Sequence, residues 1–307
     1  MKPNVHLMIF KQTIKLSTLL YLFLLFTCLT PNTLMAKTDI KIAVASNFHY
    51  TLSELLKSYP PADKIQIKLS SGSSGMLYAQ IKQGAPFDLF LSADALRPEL
   101  LEKQQLTLSR KTYALGKLAL WSPVTVINNS NDYLDVLQSN AGKLSYANPK
   151  LAPFGIATEQ VLSYLKLGDE YNNRRILGNN VNQVFQFVDS GNVTLGFVPE
   201  SLLLQAQQQL KHKKYQNYWL IPAQQYQVIK QQLVILKRSK HIKQVQDLVD
   251  YIMSAAVQKR LSTMGYHSQA PLPRNALPKE RLQTEPLQMS PQVTLAFGLK
   301  QQNILLH

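Results

Sequence analysis

Short apolar runs alternate along this chain with stretches in which apolar residues recur every three to four positions. Ile40 to Ala45, Ile65 to Leu69 and Leu89 to Ser92 read as strands, and Tyr50 to Tyr59, Met76 to Gln83 and Ala95 to Gln104 as helices. Strands alternating with helices in this way predict a parallel α/β arrangement. Tyr113 to Trp121 reads as a further strand, ended by Ser122-Pro123. A second block carries a strand at Lys143 to Tyr146, helices at Ile156 to Leu165 and Val181 to Ser190, and a strand at Leu195 to Val198. After it, Gln232 to Leu236 predicts a strand and Ile242 to Met264 two consecutive helices. No internal repeat of fixed period is visible. Beyond Tyr266 the texture changes: Pro271, Pro273, Pro278, Pro286 and Pro291 interrupt any helix or central strand and predict a loosely held tail.

The amino terminus has a different pattern. Lys2, Lys11 and Lys15 form a positive leader without acidic residues, Ile14 to Leu29 is almost wholly apolar, and Leu34-Met35-Ala36 ends in a small residue suited to cleavage. This predicts a cleaved export signal over residues 1–36 in preference to a membrane anchor, for which the apolar stretch is short. Cys28 lacks the small preceding residues of a lipoprotein site and leaves with the signal. A mature chain starting near Lys37 then has no cysteine, so neither a disulfide nor a thiolate metal site is open to it. About 270 residues remain, enough for two domains with real cores.

Charge changes the picture only in part. The formal net charge of +15 falls to +12 once the three leader lysines are removed. Such an excess fits nucleic acid, an anionic membrane surface or the steering of small anions. The lysines are dispersed among glutamines, no recognition motif accompanies them, and export separates the chain from DNA, so nucleic acid is the weakest of the three.

The chemistry lies at the strand–helix junctions. Leu69-Ser70-Ser71-Gly72-Ser73-Ser74-Gly75 leads from a strand into a helix. A loop of small hydroxyl residues at a helix start gathers hydroxyls and unpaired N–H groups at one point, with the helix dipole adding positive potential. That suits an oxyanion; alternatively the loop only caps its own helix. Three more junctions share the chemistry: Ala45-Ser46-Asn47, then Asn148 to Gly155 with its prolines delivering Phe154 to a helix start, and Gly178 to Asn182. In open parallel sheets ligands collect at the carboxyl ends of strands. Four such junctions, two in each block, point to a cleft between lobes.

Enzymatic readings find less support. His49, His212, His241, His267 and His307 show no metal-ligand spacing, and neither a GxSxG elbow nor a Walker loop is present. Asp88 reads as a strand-edge or hinge residue and Asp94 as a cap for the helix that follows. No catalytic residue and no cofactor is assigned.

Ala43-Val44-Ala45-Ser46, Ser73-Ser74 ahead of Leu77 and Gln80-Ile81, and Gly84-Ala85-Pro86-Phe87-Asp88-Leu89-Phe90-Leu91-Ser92-Ala93-Asp94 together resemble the periplasmic molybdate-binding proteins of ABC transporters. The resemblance continues through Asn148-Pro149, Pro153-Phe154-Gly155, Asn180-Val181 and Leu195 to Val198, and ends at Leu261 to Tyr266. The Gly84 to Asp94 block is its most specific part and reads as a structural strand and hinge wall.

The resemblance implies a two-lobed periplasmic-binding-protein-like α/β fold, each lobe a mostly parallel sheet flanked by helices, with two crossover strands. The corresponding organisation is a first lobe from 37–121 and 229–268, a second lobe from 122–228, and a tail from 269–307. Carried over by position, it implies that Ser46 and Ser74 donate hydroxyl and backbone N–H groups to a tetrahedral dianion, and that Phe154 and Val181 donate backbone N–H groups. Asn47, Ser73 and Asn182 are additional candidates. Molybdenum would be held only as the oxyanion, molybdate or tungstate, without direct protein ligands to the metal. The implied partner is an ABC permease in the inner membrane, served by a monomeric periplasmic receptor. Sulfate, phosphate or a phosphonate is the alternative ligand class, and a hydrolase or the sensor domain of a regulator a more distant one. One departure stands out: the family often has a tyrosine after the strand matching Leu195 to Val198, where this chain has Pro199, which offers neither hydroxyl nor N–H.

Overall fold

Three consecutive strand–helix units open the fold, seen in a computed structural model that describes residues 38–60, 65–124, 132–139 and 142–267. The expected leader 1–36, with Cys28, and the expected tail 269–307 lie outside these residues. The opening units are β1 (Thr38–Ala45) with α1 (Ser46–Leu56), β2 (Ile65–Gly72) with α2 (Ser74–Lys82), and β3 (Leu89–Ser92) with α3 (Leu96–Lys103). Next come β4 (Thr107–Gly116), β5 (Leu118–Trp121), α4 (Asp132–Ser139), β6 (Leu144–Ala147), α5 (Pro153–Tyr164) and α6 (Gly168–Tyr171). The remainder is β7 (Arg175–Gly178), α7 (Val181–Asp189), β8 (Leu195–Pro199), α8 (Glu200–Leu210), β9 (Tyr218–Leu220), β10 (Ile229–Leu236), α9 (Ile242–Met253), α10 (Ala255–Thr263) and β11 (Tyr266–His267).

The strands form two sheets, and each sheet is the centre of one lobe. The first has the order β11-β4-β10-β3-β1-β2 and the second β7-β6-β8-β5-β9. Side chains on successive strand positions point to opposite faces. In the first sheet Ile40, Ile42 and Val44, with Leu89, Leu91, Leu233 and Ile235, pack on one face. Ala43, Phe90, Val234 and Leu236 pack on the other, against Leu77 and Ile81 of α2. Both faces are therefore covered, which is why these central strands read as continuous apolar runs. β2 lies at the sheet edge and alternates, with Ile65 buried and Gln66 exposed.

Each lobe contains one parallel three-strand unit with the same order. β1 pairs in parallel with β2 and with β3, and β6 in parallel with β7 and with β8. The remaining strands add antiparallel pairings, so both sheets are mixed where mostly parallel ones were expected. The cause is connectivity: strands that pass between the lobes enter each sheet against the direction set by its strand–helix units.

The first crossing corrects the expectation of one strand over Tyr113 to Trp121. β4 ends in the first sheet at Gly116 and β5 starts in the second at Leu118, so Leu118–Trp121 belongs to the second sheet. Sequence pattern detects an extended run but not the sheet that each half joins. The second crossing runs from β9 to β10. A further difference is at α1, which starts at Ser46, directly after β1, and not at Tyr50.

Candidate functional site

Strand order reverses at β1 in the first lobe and at β6 in the second, because the neighbours on the two sides continue the chain in opposite directions across the sheet. Such switch points open a crevice beyond the carboxyl ends of the strands. Ser46 follows β1 and Ser74 follows β2; by the equivalent topology Phe154 follows β6 and Val181 follows β7. All four are buried.

The N–H groups of the first helical turn have no intrahelical acceptor, so their partners decide what each helix start can bind. In α2, Ser73 is the cap: its Oγ accepts from the Met76 N–H at 3.4 Å. The Gly75 N–H donates to the Leu151 carbonyl at 2.9 Å, and the Leu77 N–H to the Ser73 carbonyl at 3.1 Å. The Ser74 N–H is the one left over. In α5, Pro153 has no N–H, and Gly155 and Ile156 both donate to the Ala152 carbonyl, at 3.0 and 3.4 Å. Phe154 is left over. In α7, Asn180 Oδ1 accepts from the Gln183 N–H at 3.1 Å and the Asn180 carbonyl from the Val184 N–H at 3.3 Å. Val181 and Asn182 are left over. α1 starts after Ala45 with no side-chain cap.

The side chains follow the same division. Ser74 Oγ accepts from the Ala93 N–H at 2.9 Å. That bond ties the helix start to the end of β3 and leaves the Ser74 proton free to donate elsewhere. Ala93 lies in the Gly84 to Asp94 block, so the block read as a hinge wall orients the candidate residue Ser74. The Ser46 hydroxyl makes no hydrogen bond among the described residues. Asn47 donates from Nδ2 to Gln231 Oε1 at 2.9 Å, and its carbonyl accepts from the Tyr266 hydroxyl at 2.9 Å. Tyr113 donates to Gln231 Oε1 at 3.0 Å. Burial pushes the Tyr266 hydroxyl up to about 12 and Tyr113 well above the usual phenol value, so both stay protonated donors at neutral pH.

Three contacts bring the two lobes together around these groups. Ala45 and Ala93 of the first lobe share one packed cluster with Ala152, Phe154 and Val181 of the second. The Gly75–Leu151 hydrogen bond joins α2 to the loop before α5, and Arg97 Nη2 donates to the adjacent Lys150 carbonyl at 3.2 Å. Ser46, His49 and Tyr50 line a cavity of about 240 Å³ together with Asn182, Phe185 and Leu202. One glycine, Gly75, permits this closeness, and another, Gly155, lets α5 start against the end of β6 within the second lobe. A Cβ at Gly155 would lie 2.0 Å from the Ala147 carbonyl oxygen, and one at Gly75 would lie 2.9 Å from the Leu151 oxygen.

The nearby formal charges are internally compensated. Arg97 is ion-paired with Asp94, whose Oδ1 also accepts the Arg97 N–H at 3.1 Å. Asp94 thus caps α3 as expected. Asp88 lies at the opposite end of β3, where it accepts from the Lys41 N–H and from Ser239 Oγ, each at 2.7 Å. It has no part in the cleft. Among the described residues no group of His, Cys, Asp and Glu could hold a metal ion. Gln231, Tyr113, Tyr266 and Arg97 were not singled out from sequence; the signal for Gln231 was a pair of glutamines entering an otherwise apolar strand.

A cleft between two α/β lobes, lined with helix starts and neutral donors and spanned by two crossings, defines a solute-binding protein. The chain belongs to the family of bacterial extracellular solute-binding proteins, whose model matches residues 40–267. It is 38% identical over 233 residues to the molybdate-binding protein ModA of Azotobacter vinelandii, covering 74% of this chain and 89% of that protein. It is 31% identical over 235 residues to ModA of Rhodobacter capsulatus, covering 75% and 89%. The solved structure of the Azotobacter vinelandii periplasmic molybdate-binding protein matches with a TM-score of 0.68 at 34% identity, over 76% of this chain and all of that one.

Proposed function

We propose that this protein is a periplasmic receptor that captures molybdate, and with it tungstate, for import by an ABC transporter. What supports the reading is the set of N–H groups at Ser74, Phe154 and Val181 that have no partner among the described residues, each on a helix start following a strand of one of the two parallel units, in a chain 38% identical to a molybdate-binding protein. In this reading Ser46 and Ser74 contribute hydroxyl and N–H donors, Phe154 and Val181 contribute N–H donors, and Asn47 and Asn182 complete the shell.

A tetrahedral dianion held by several charge-assisted hydrogen bonds and helix dipoles offsets its desolvation without a formal counter-charge. Neutral donors also permit release to the permease, and the protein performs no chemistry on its cargo. The remaining cationic excess steers anions toward the cleft, an effect that fades with salt. The protein acts as a monomer whose lobes close on the ligand.

Isothermal calorimetry on the mature protein with molybdate, tungstate, sulfate and phosphate tests the reading. Saturable binding of molybdate and tungstate, with sulfate and phosphate far weaker, is expected. Preference for sulfate or phosphate, or binding of none of the four, would overturn it.

A further inference from the structure

Gln231 is fully buried on β10, at the point where its register against β4 shifts between Gln231 and Gln232. Its Oε1 receives two donors, Asn47 Nδ2 at 2.9 Å and the Tyr113 hydroxyl at 3.0 Å. The Tyr113 hydroxyl also lies 3.1 Å from the Ser92 carbonyl, so its single proton is shared between the two acceptors. The other end of the carboxamide, Nε2, is buried and has no hydrogen-bond partner among the described residues. It lies 2.9 Å from the place a Cβ on Gly116 would occupy, and the Phe154 Cζ lies 2.9 Å from the same place. The free amide is therefore held where the first crossing meets the second-lobe residue Phe154. A buried NH2 group with no acceptor is unfavourable, and native structures seldom retain one without a use.

We propose that Gln231 is a further recognition residue of the oxyanion site, placed at the base of the cleft where the chain crosses between lobes. Its Oε1 orients the Asn47 amide, and its Nε2 supplies a donor to a ligand oxygen, directly or through one bound water. This rests on the reading of the cleft as an oxyanion site. The arrangement also selects the ligand class: an acceptor-rich, fully deprotonated oxyanion satisfies the amide, whereas a ligand that presents a hydroxyl or ammonium group meets donor with donor.

Two variants and one structure test this. Gln231→Glu keeps an oxygen for Asn47 and Tyr113 but replaces the NH2 by a second oxygen facing the anion; Gln231→Met removes both functions. Calorimetry with molybdate is expected to show about a 100-fold loss for Gln231→Glu and about a 10-fold loss for Gln231→Met. The larger loss in the variant that preserves the Asn47 contact, with a ligand-free melting temperature no lower than that of Gln231→Met, is what a purely structural role would not produce. Equal or greater weakening by Gln231→Met, or unchanged affinity in both, overturns the proposal while tight wild-type binding leaves the oxyanion reading intact. Should the variants not fold, the crystal structure of wild-type protein with tungstate decides. Nε2 within hydrogen-bond distance of a tungstate oxygen, or of a water that also touches one, supports the inference, and Nε2 engaged only with protein overturns it. A wild type that binds neither molybdate nor tungstate is a failure of the oxyanion reading itself.

Discussion

The Gly75 N–H donates to the Leu151 carbonyl at 2.9 Å, directly joining a helix start of the first lobe to the loop that precedes α5 in the second. Asn148 shapes that loop, accepting from the Lys150 N–H on its side chain and from the Leu151 and Ala152 N–H groups on its carbonyl. The Lys150 carbonyl beside it takes the Arg97 guanidinium. In the proposed reading of Ser74 as a ligand donor, this contact between the lobes lies one residue from it, which would couple ligand capture to lobe closure.

Gly75→Ala tests that linkage. A Cβ there would approach the Leu151 oxygen to 2.9 Å and its Cα to 3.1 Å, both backbone atoms of the opposite lobe. An open cleft relieves the conflict and a closed one does not. Molybdate affinity should fall by about 1–3 kcal/mol, the usual cost of overpacking, with little change in the melting temperature without ligand. Affinity equal to wild type would show that closure does not bring these backbones together.

Ser74→Ala separates two roles of one hydroxyl. Loss of a hydrogen bond to a charged ligand should weaken molybdate binding by about 1.5–3 kcal/mol. Because Ser74 Oγ also accepts the buried Ala93 N–H, the variant should lose about 1–3 kcal/mol of stability too, which sequence alone gave no reason to expect. Titration calorimetry and urea melts measure the two independently. Lost stability with unchanged affinity would reduce Ser74 to an anchor for β3.

The helix starts at Ser74, Phe154 and Val181 were legible because local chemistry marks them: hydroxyl residues after a strand, proline in a first turn, asparagine before an apolar run. Gln231 was not, since its partners Asn47 and Tyr113 lie more than a hundred positions away and no local rule links them. The repeated strand order of the two lobes was hidden as well. Pairing order repeats while sequence does not, because any apolar residues of fitting volume fill a covered strand. α8 was missed because glutamines occupy much of its surface, and β7 because three of its four residues are at least partly exposed. Mixed strand direction follows from the two crossings, which no periodicity encodes.

Stability at high pH should depend on Tyr266. Its hydroxyl is pushed up to about 12 by burial, against 10.0 for a free phenol. The folded state therefore retains a proton that the unfolded state releases, and stability present below about pH 10 is lost as pH rises toward 12. This one group accounts for about 2–3 kcal/mol of that loss. Denaturant melts between pH 9 and about 11.5 should show a shallower decline for Tyr266→Phe, alongside a lower plateau from the lost bonds to Asn47 and Thr51. Identical slopes in variant and wild type would mean that the hydroxyl is not shielded.

The family departure at Pro199 sets the last prediction. Pro199 pairs with Leu118 at the end of β8, opens α8 and is buried. Its φ of −62° suits tyrosine, but a tyrosine ring would have to enter the packed junction between the crossing and α8. Asn182, in contrast, has an open backbone N–H in the first turn of α7 and lines the same cavity as Ser46, while its Oδ1 is buried without a partner. Turning that oxygen into the protein directs the amide's donor end to the cavity. Asn182→Ala should therefore weaken molybdate binding by about 1 kcal/mol or more, and Asn182→Asp should weaken it further by placing a carboxylate near the dianion. Pro199→Tyr should bring no gain, because in this reading Asn182 already supplies the donor it would restore. A tighter Pro199→Tyr beside a neutral Asn182→Ala would show that the pocket is one donor short. If neither substitution alters affinity, the ligand does not reach this side of the second lobe, and the shell must be redrawn around Phe154 and Gln231.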